Sequence, residues 1–180
     1  MLVVTFVVVL CAGGAAGRRE VLAETIDLSR IAALSFSDSG EVVLLDGDSG
    51  KPVGAVRMGR VPRDLAVTSG EWLVAAEDSR IESVSLVAPG ETHQLWMCQP
   101  DHVVAGVGPR RAYVSRSDPS AVVAVTLDAA STVDWATKMP GRVRALALDP
   151  GGRIVFAGYD WHPGRIAAID AMTGGIERTL

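Results

Sequence analysis

Hydrophobic residues in this chain fall into short runs of strand length, each closed off by turn residues. The clearest stretch is residues 142–174. There Val143 to Leu148, Ile154 to Ala157 and Ile166 to Ile169 are β-rich, and Asp149-Pro150-Gly151-Gly152, Pro163-Gly164 and Thr173-Gly174 punctuate them as tight turns. Earlier parts of the chain repeat the unit. Residues 30–46, from Arg30 to Asp46, match Arg153 to Asp170 in order, and Asp46-Gly47-Asp48-Ser49-Gly50 stands where Asp170-Ala171-Met172-Thr173-Gly174 stands later. The two aspartates lie 124 positions apart, about three times 41. Two weaker copies, Asp64 to Leu86 and Val103 to Leu127, fall between them.

A period near 41 with four strands per unit predicts an all-β fold, a β-propeller of four-stranded antiparallel blades with about four blades present. The blades are expected at about 18–59, 60–99, 100–141 and 142–180. Blade two illustrates the assignment from the inner strand A to the outer strand D: A near Arg63 to Thr68, B near Trp72 to Ala76, C near Ile81 to Leu86, D near Thr92 to Cys98. In blade one the A strand is the least regular, because Glu20 to Leu28 reads equally as a helical turn and a strand.

Strands stacked between blades are buried on both faces, which explains Ile154-Val155-Phe156-Ala157 in place of clean alternation. The Asp-x-x-Ser/Thr-Gly that ends a C strand supplies a carboxylate for backbone N–H groups and a glycine for positive φ, so Asp46 and Asp170 are structural.

Residues 1–17 stand before the first repeat. Leu2 to Ala16 is an apolar run ending in small residues and followed by Gly17-Arg18-Arg19, which reads as a secretory signal although it lacks an initial Lys or Arg. A buried strand over Val3 to Val9 is the competing reading. The run is too short to span a bilayer comfortably, and Leu10 before Cys11 is large for a lipoprotein site. A signal implies an extracytoplasmic protein, periplasmic or secreted; without one it is cytoplasmic. Cys98 is then the single cysteine of the mature chain and is expected to be buried and inert.

Composition narrows the partners. The chain is 48% hydrophobic and 21% charged, which excludes a disordered chain, and its net charge of −4 disfavours nucleic acid and anionic membranes. Three histidines without ligand spacing identify no metal site; there is no phosphate loop before a helix, no nucleophile elbow and no haem attachment pattern. No cofactor and no catalytic residue is singled out.

Gly59 to Val67 after a D strand, and Gly40 to Asp46 followed by Ser49-Gly50, resemble the repeat of the YVTN family of bacterial propellers over nearly all of 18–180. Ala168-Ile169-Asp170 with Thr173-Gly174 also resembles the blade motif of pyrroloquinoline quinone dehydrogenases, in which a Trp four residues after the glycine docks between blades. Arg178 and Gly54 hold that position here. The resemblance implies rings of about seven or eight blades. The chain is accordingly expected to be a fragment ending inside a D strand at Leu180, half of a self-associated ring, or a four-bladed closure.

In a propeller the B–C and D–A loops share one end, and function is expected there. Asp38, Asp78, Asp118 and Asp160 follow the B strands at intervals of 40, 40 and 42, either as turn formers or as a cation-attracting rim. The long loop Gly158 to Gly164 gathers Asp160, Trp161 and His162, with His102, Arg80 and Arg116 expected at the same end. Tyr159 and Trp161 also suit capping of a blade edge, and His93 is expected to be solvated on an outer strand. The reading is an exported binding or scaffold module recognising a protein or small ligand through these loops. The alternative is part of a propeller enzyme, quinoprotein-type or lactonase-like, with catalytic residues outside this chain.

Overall fold

The computed structural model describes residues 31–35, 40–68, 71–88, 90–108, 110–160, 162 and 164–180. Blade one contributes three described strands, β1 (Ile31–Ser35), β2 (Glu41–Asp46) and β3 (Pro52–Arg57), which occupy the B, C and D places. Its expected A strand, residues 20–28, lies outside the described residues. Blade two is β4 (Asp64–Thr68), β5 (Trp72–Ala76), β6 (Arg80–Ser85) and β7 (Thr92–Trp96). Blade three follows as β8 (Pro100–Ala105), β9 (Arg111–Ser117), β10 (Ser120–Thr126) and β11 (Thr132–Lys138). Blade four is β12 (Val143–Leu148), β13 (Ile154–Tyr159), β14 (Arg165–Asp170) and β15 (Ile176–Thr179). Every sheet is an antiparallel meander in chain order.

The blades stack in sequence, β1 against β4, β4 against β8 and β8 against β12. Alternate side chains of one strand serve the two neighbouring blades. In β5, Leu73 and Ala75 join the core shared with blade one, while Val74 and Ala76 join the core shared with blade three. That is why the strand is buried at all five positions and reads as a continuous apolar run. Each such Leu or Val buried contributes about 1.5 to 3 kcal/mol. Among the described residues blade four packs against blade three alone, and its outer strands expose Ile166 (44%) and Ile176 (47%).

The C–D turns explain the repeat's polar signature. Asp46 Oδ1 accepts the Ser49 N–H at 2.7 Å, Asp170 Oδ1 accepts the Thr173 N–H at 2.7 Å, and Gly50 and Gly174 take φ of 66° and 75°. Blade three uses a connection one residue longer, Ala124 facing Trp135 where Ala168 faces Arg178: Asp128 Oδ1 accepts the Ser131 N–H at 2.9 Å, and Ser131 itself holds the positive φ, 42°.

The longer connection corrects one expectation. Counted from the positive-φ residue, the docking position in blade three is Trp135. Its Nε1–H donates to the Ala171 carbonyl of blade four at 3.2 Å, beside the Tyr113 hydroxyl, which donates to the same oxygen at 3.2 Å. A tryptophan therefore does dock between blades three and four, where sequence spacing fixed to glycine finds none.

Two further expectations change. Cys98 is exposed, because Met97 takes the inward place in the connection after β7 and turns the next residue outward. His93 is largely buried; its ring lies 5.0 Å from that of Trp72, on the inner side of an outer strand. Tyr159 is buried in the core between blades three and four.

Candidate functional site at the loop-bearing mouth

Register places the loops. Asp64, first in β4, pairs with Ala76, last in β5, and Arg80, first in β6, pairs with Trp96, last in β7. The D–A and B–C connections therefore emerge at one end, as expected, and the tight C–D turns at the other.

At the mouth, charged groups from successive A strands meet. Asp101 on β8 is 8% exposed and accepts from both neighbours: Arg63 Nη1 of blade two at 3.2 Å, and Arg142 Nε and Nη2 of blade four at 3.1 to 3.2 Å. The Ser117 hydroxyl donates to it from the end of β9. Burial pushes the Asp101 carboxyl up, but the Ser117 hydroxyl and the Arg142 and Arg63 guanidiniums outweigh this and hold it below the usual carboxylate range. Asp101 thus ties three blades together at the rim of the axis.

Two of the four aspartates of the expected ring stand in ion pairs. Asp78 accepts from Arg63 Nε and Nη2 at 2.9 and 2.7 Å, so Arg63 bridges Asp78 and Asp101. Asp160 accepts from Arg144 Nε at 2.7 Å, and that contact holds its carboxyl below the usual range. Asp118 is exposed in the β9–β10 turn, where its bond to Pro119 is cis. Asp38 and Trp161 lie outside the described residues. Two of the four aspartates are therefore compensated by an arginine of the same blade's A strand, which favours strand-tying over a cation-attracting rim.

The other expected residues divide. His162 is exposed at the mouth. His102 lies in β8, its Nδ1 3.6 Å from Asp64 Oδ2, and its backbone N–H donates to Ser115 Oγ. Arg116 is half-buried, with Nε shielded from solvent and without a partner among the described residues. Arg80 is drawn inward, between Glu77 and Glu82 at the joint of blades one and two. Among the described residues no three His, Cys, Asp or Glu side chains gather as a group that could hold a metal ion.

Sequence reasoning missed Arg63, Asp101, Arg142, Arg144 and Glu77. A signal existed for the first three. They stand 38 and 41 positions apart, close to the blade period, so they fall at matching places in adjacent A strands.

No family model matches the chain, and no curated protein matches it in sequence. Solved structures do. Kuenenia stuttgartiensis hydrazine synthase is similar at 17% identity and TM-score 0.71, covering 84% of this chain and 46% of that one. The Cps50 (Swd1) β-propeller domain of Myceliophteria thermophila is similar at 15% identity and TM-score 0.67, covering 84% and 51%. Dihydro-heme d1 dehydrogenase NirN in complex with DHE is similar at 16% identity and TM-score 0.63, covering 84% and 34%. The chain spans about half the length of the first two and a third of the other. At such identities the likeness shows the fold, and the fold is that of β-propeller blades, about four of them.

Proposed function

We propose that this chain is an exported binding or scaffold module of YVTN-like repeats, recognising a protein or small ligand through its B–C and D–A loops. One observation carries the reading: the loop-bearing end holds Arg63 and Arg142 half-exposed around a buried Asp101 that fixes their places, with His102 beside Asp64 next to them. A rigid bed of charged side chains at strand starts and the connections before them suits recognition, because little side-chain freedom is left to lose on binding. The expected export rests on residues 1–17.

The test is selection of binders from a displayed random peptide library on the immobilised 180-residue chain. Binders are expected to weaken at least about tenfold on His162→Ala or Asp118→Ala at the mouth, a change of about 1.4 kcal/mol, and to tolerate Met172→Ala at the opposite end. The reverse pattern would overturn the reading. Turnover of a substrate that the same mouth variants abolish would favour the propeller-enzyme alternative.

The flank of blade four supports a partner of its own kind. Its Ile166 lies on the same face as Phe156 and Ile154, turned away from blade three, and the far face of blade one carries Ala32, Leu34, Val43 and Leu45. In the isolated chain these two faces suit head-to-tail pairing of two copies. Native mass spectrometry is expected to give twice 18.9 kDa, and Ile166→Glu the single mass. A monomeric wild-type chain would rule this out.

A further inference from the structure

We propose that Glu77, Glu82 and Arg80 form a proton-dependent latch on the joint between blades one and two, closed when the two carboxyl groups share a proton and loosened when that proton is lost. The latch goes beyond ligand recognition, although it sits beneath a connection that forms part of the mouth.

The geometry is that of a node with one charge too many. Glu77 is fully buried at 0% exposure and Glu82 is 5% exposed. One guanidinium serves both: Arg80 Nε donates to Glu77 Oε2 at 2.6 Å, and Nη2 donates to Glu82 Oε2 at 3.3 Å. Each carboxyl also takes a backbone N–H from the connection leaving blade one. Gly59 donates to Glu82 Oε2 at 2.8 Å and Arg60 to Glu77 Oε1 at 3.1 Å. Gln94, on β7, bonds both Glu82 Oε1, at 3.0 Å, and Arg80 Nη1, at 3.3 Å. There is no slack at this joint, since a Cβ at Gly59 would overlap the Arg80 guanidinium.

With both carboxyls ionised the node holds two negative charges against one positive charge, away from water. With one proton it is neutral, and Glu77 donates to Glu82. Burial, together with that hydrogen bond, pushes Glu77 above the usual carboxyl range despite Arg80. Burial also pushes Glu82 up, but the bonds it accepts from Glu77, Gly59 and Gln94, and the charge of Arg80, carry it below the usual range. The signs follow from linkage. A raised folded pKa contributes stability that is lost as pH rises through it, and a lowered one contributes stability lost as pH falls through it. The joint is therefore tightest near the ordinary carboxyl value, between the lowered Glu82 and the raised Glu77, and opens on the alkaline side as Glu77 ionises.

The Gly59 and Arg60 amides report the latch directly, because they are its blade-one half. Their hydrogen-exchange protection, corrected for the intrinsic pH dependence, is expected to fall by up to about tenfold per pH unit as pH rises from the ordinary carboxyl value to the raised Glu77 pKa, as release of one proton on opening requires, and to level off above it. Glu77→Gln mimics the neutral carboxyl and should make their protection independent of pH. A wild-type profile flat from about pH 5 to about pH 9 would overturn the proposal whether or not the variant folds, and so would an undiminished fall in Glu77→Gln.

Discussion

Trp135→Ala is expected to lower the stability of the chain by about 3 kcal/mol, with the loss concentrated at the joint of blades three and four. The indole is half-buried between blades, and its Nε1–H satisfies the Ala171 carbonyl. It also lies directly beneath Gly174: a Cβ on that residue would stand 2.7 Å from two indole carbons, on a backbone with φ of 75°. Gly174→Ala is therefore expected to cost more than the 1 to 2 kcal/mol, roughly, of left-handed backbone alone. In the Trp135→Ala background the overlap is gone, and only that smaller cost should remain. The double-mutant cycle, read by urea midpoints, should show coupling of about 1 kcal/mol or more; strict additivity would mean that the two residues do not meet.

The second large effect belongs to Asp101. Asp101→Asn keeps the shape but removes the charge that Arg63 and Arg142 share, and is expected to cost about 2 to 3 kcal/mol at neutral pH. The sign with pH is fixed. The folded Asp101 pKa is depressed below the ordinary carboxylate value, so its contribution is present above that value and is lost as pH falls through the folded one. Wild-type and variant stabilities should therefore converge in acid and separate above about pH 4, as thermal midpoints at several pH values would reveal. A gap of equal size at all pH values would assign the loss to packing.

These two positions mark where the sequence is readable and where it is not. Turn chemistry is local, so Asp46 and Asp170, each followed by a positive-φ glycine, declare their role in four or five letters. The same turn in blade three escapes because Ser131 replaces the glycine and the connection is one residue longer, which moves Trp135 out of the expected frame. Apolar runs such as Trp72 to Ala76 give strands because burial on both faces leaves little freedom of composition. The mouth is harder. Asp78 and Asp160 look like turn residues, and only the fold brings Arg63 and Arg144 onto them. Asp101 and Glu77 read as polar residues at strand ends, whereas packing of neighbouring blades buries both. Cys98 fails for the converse reason: cysteine favours interiors on average, but Met97 has already filled the inward place.

The central claim, that recognition happens at the loop-bearing end, is tested most directly by a hydrogen-exchange footprint of the chain with a selected peptide bound. The account predicts protection in the mouth connections 58–63, 77–79, 97–99 and 139–142, with the opposite turns 86–88 and 171–175 unchanged. Protection confined to those opposite turns, or to the blade-four strand Ile176–Thr179, would contradict it.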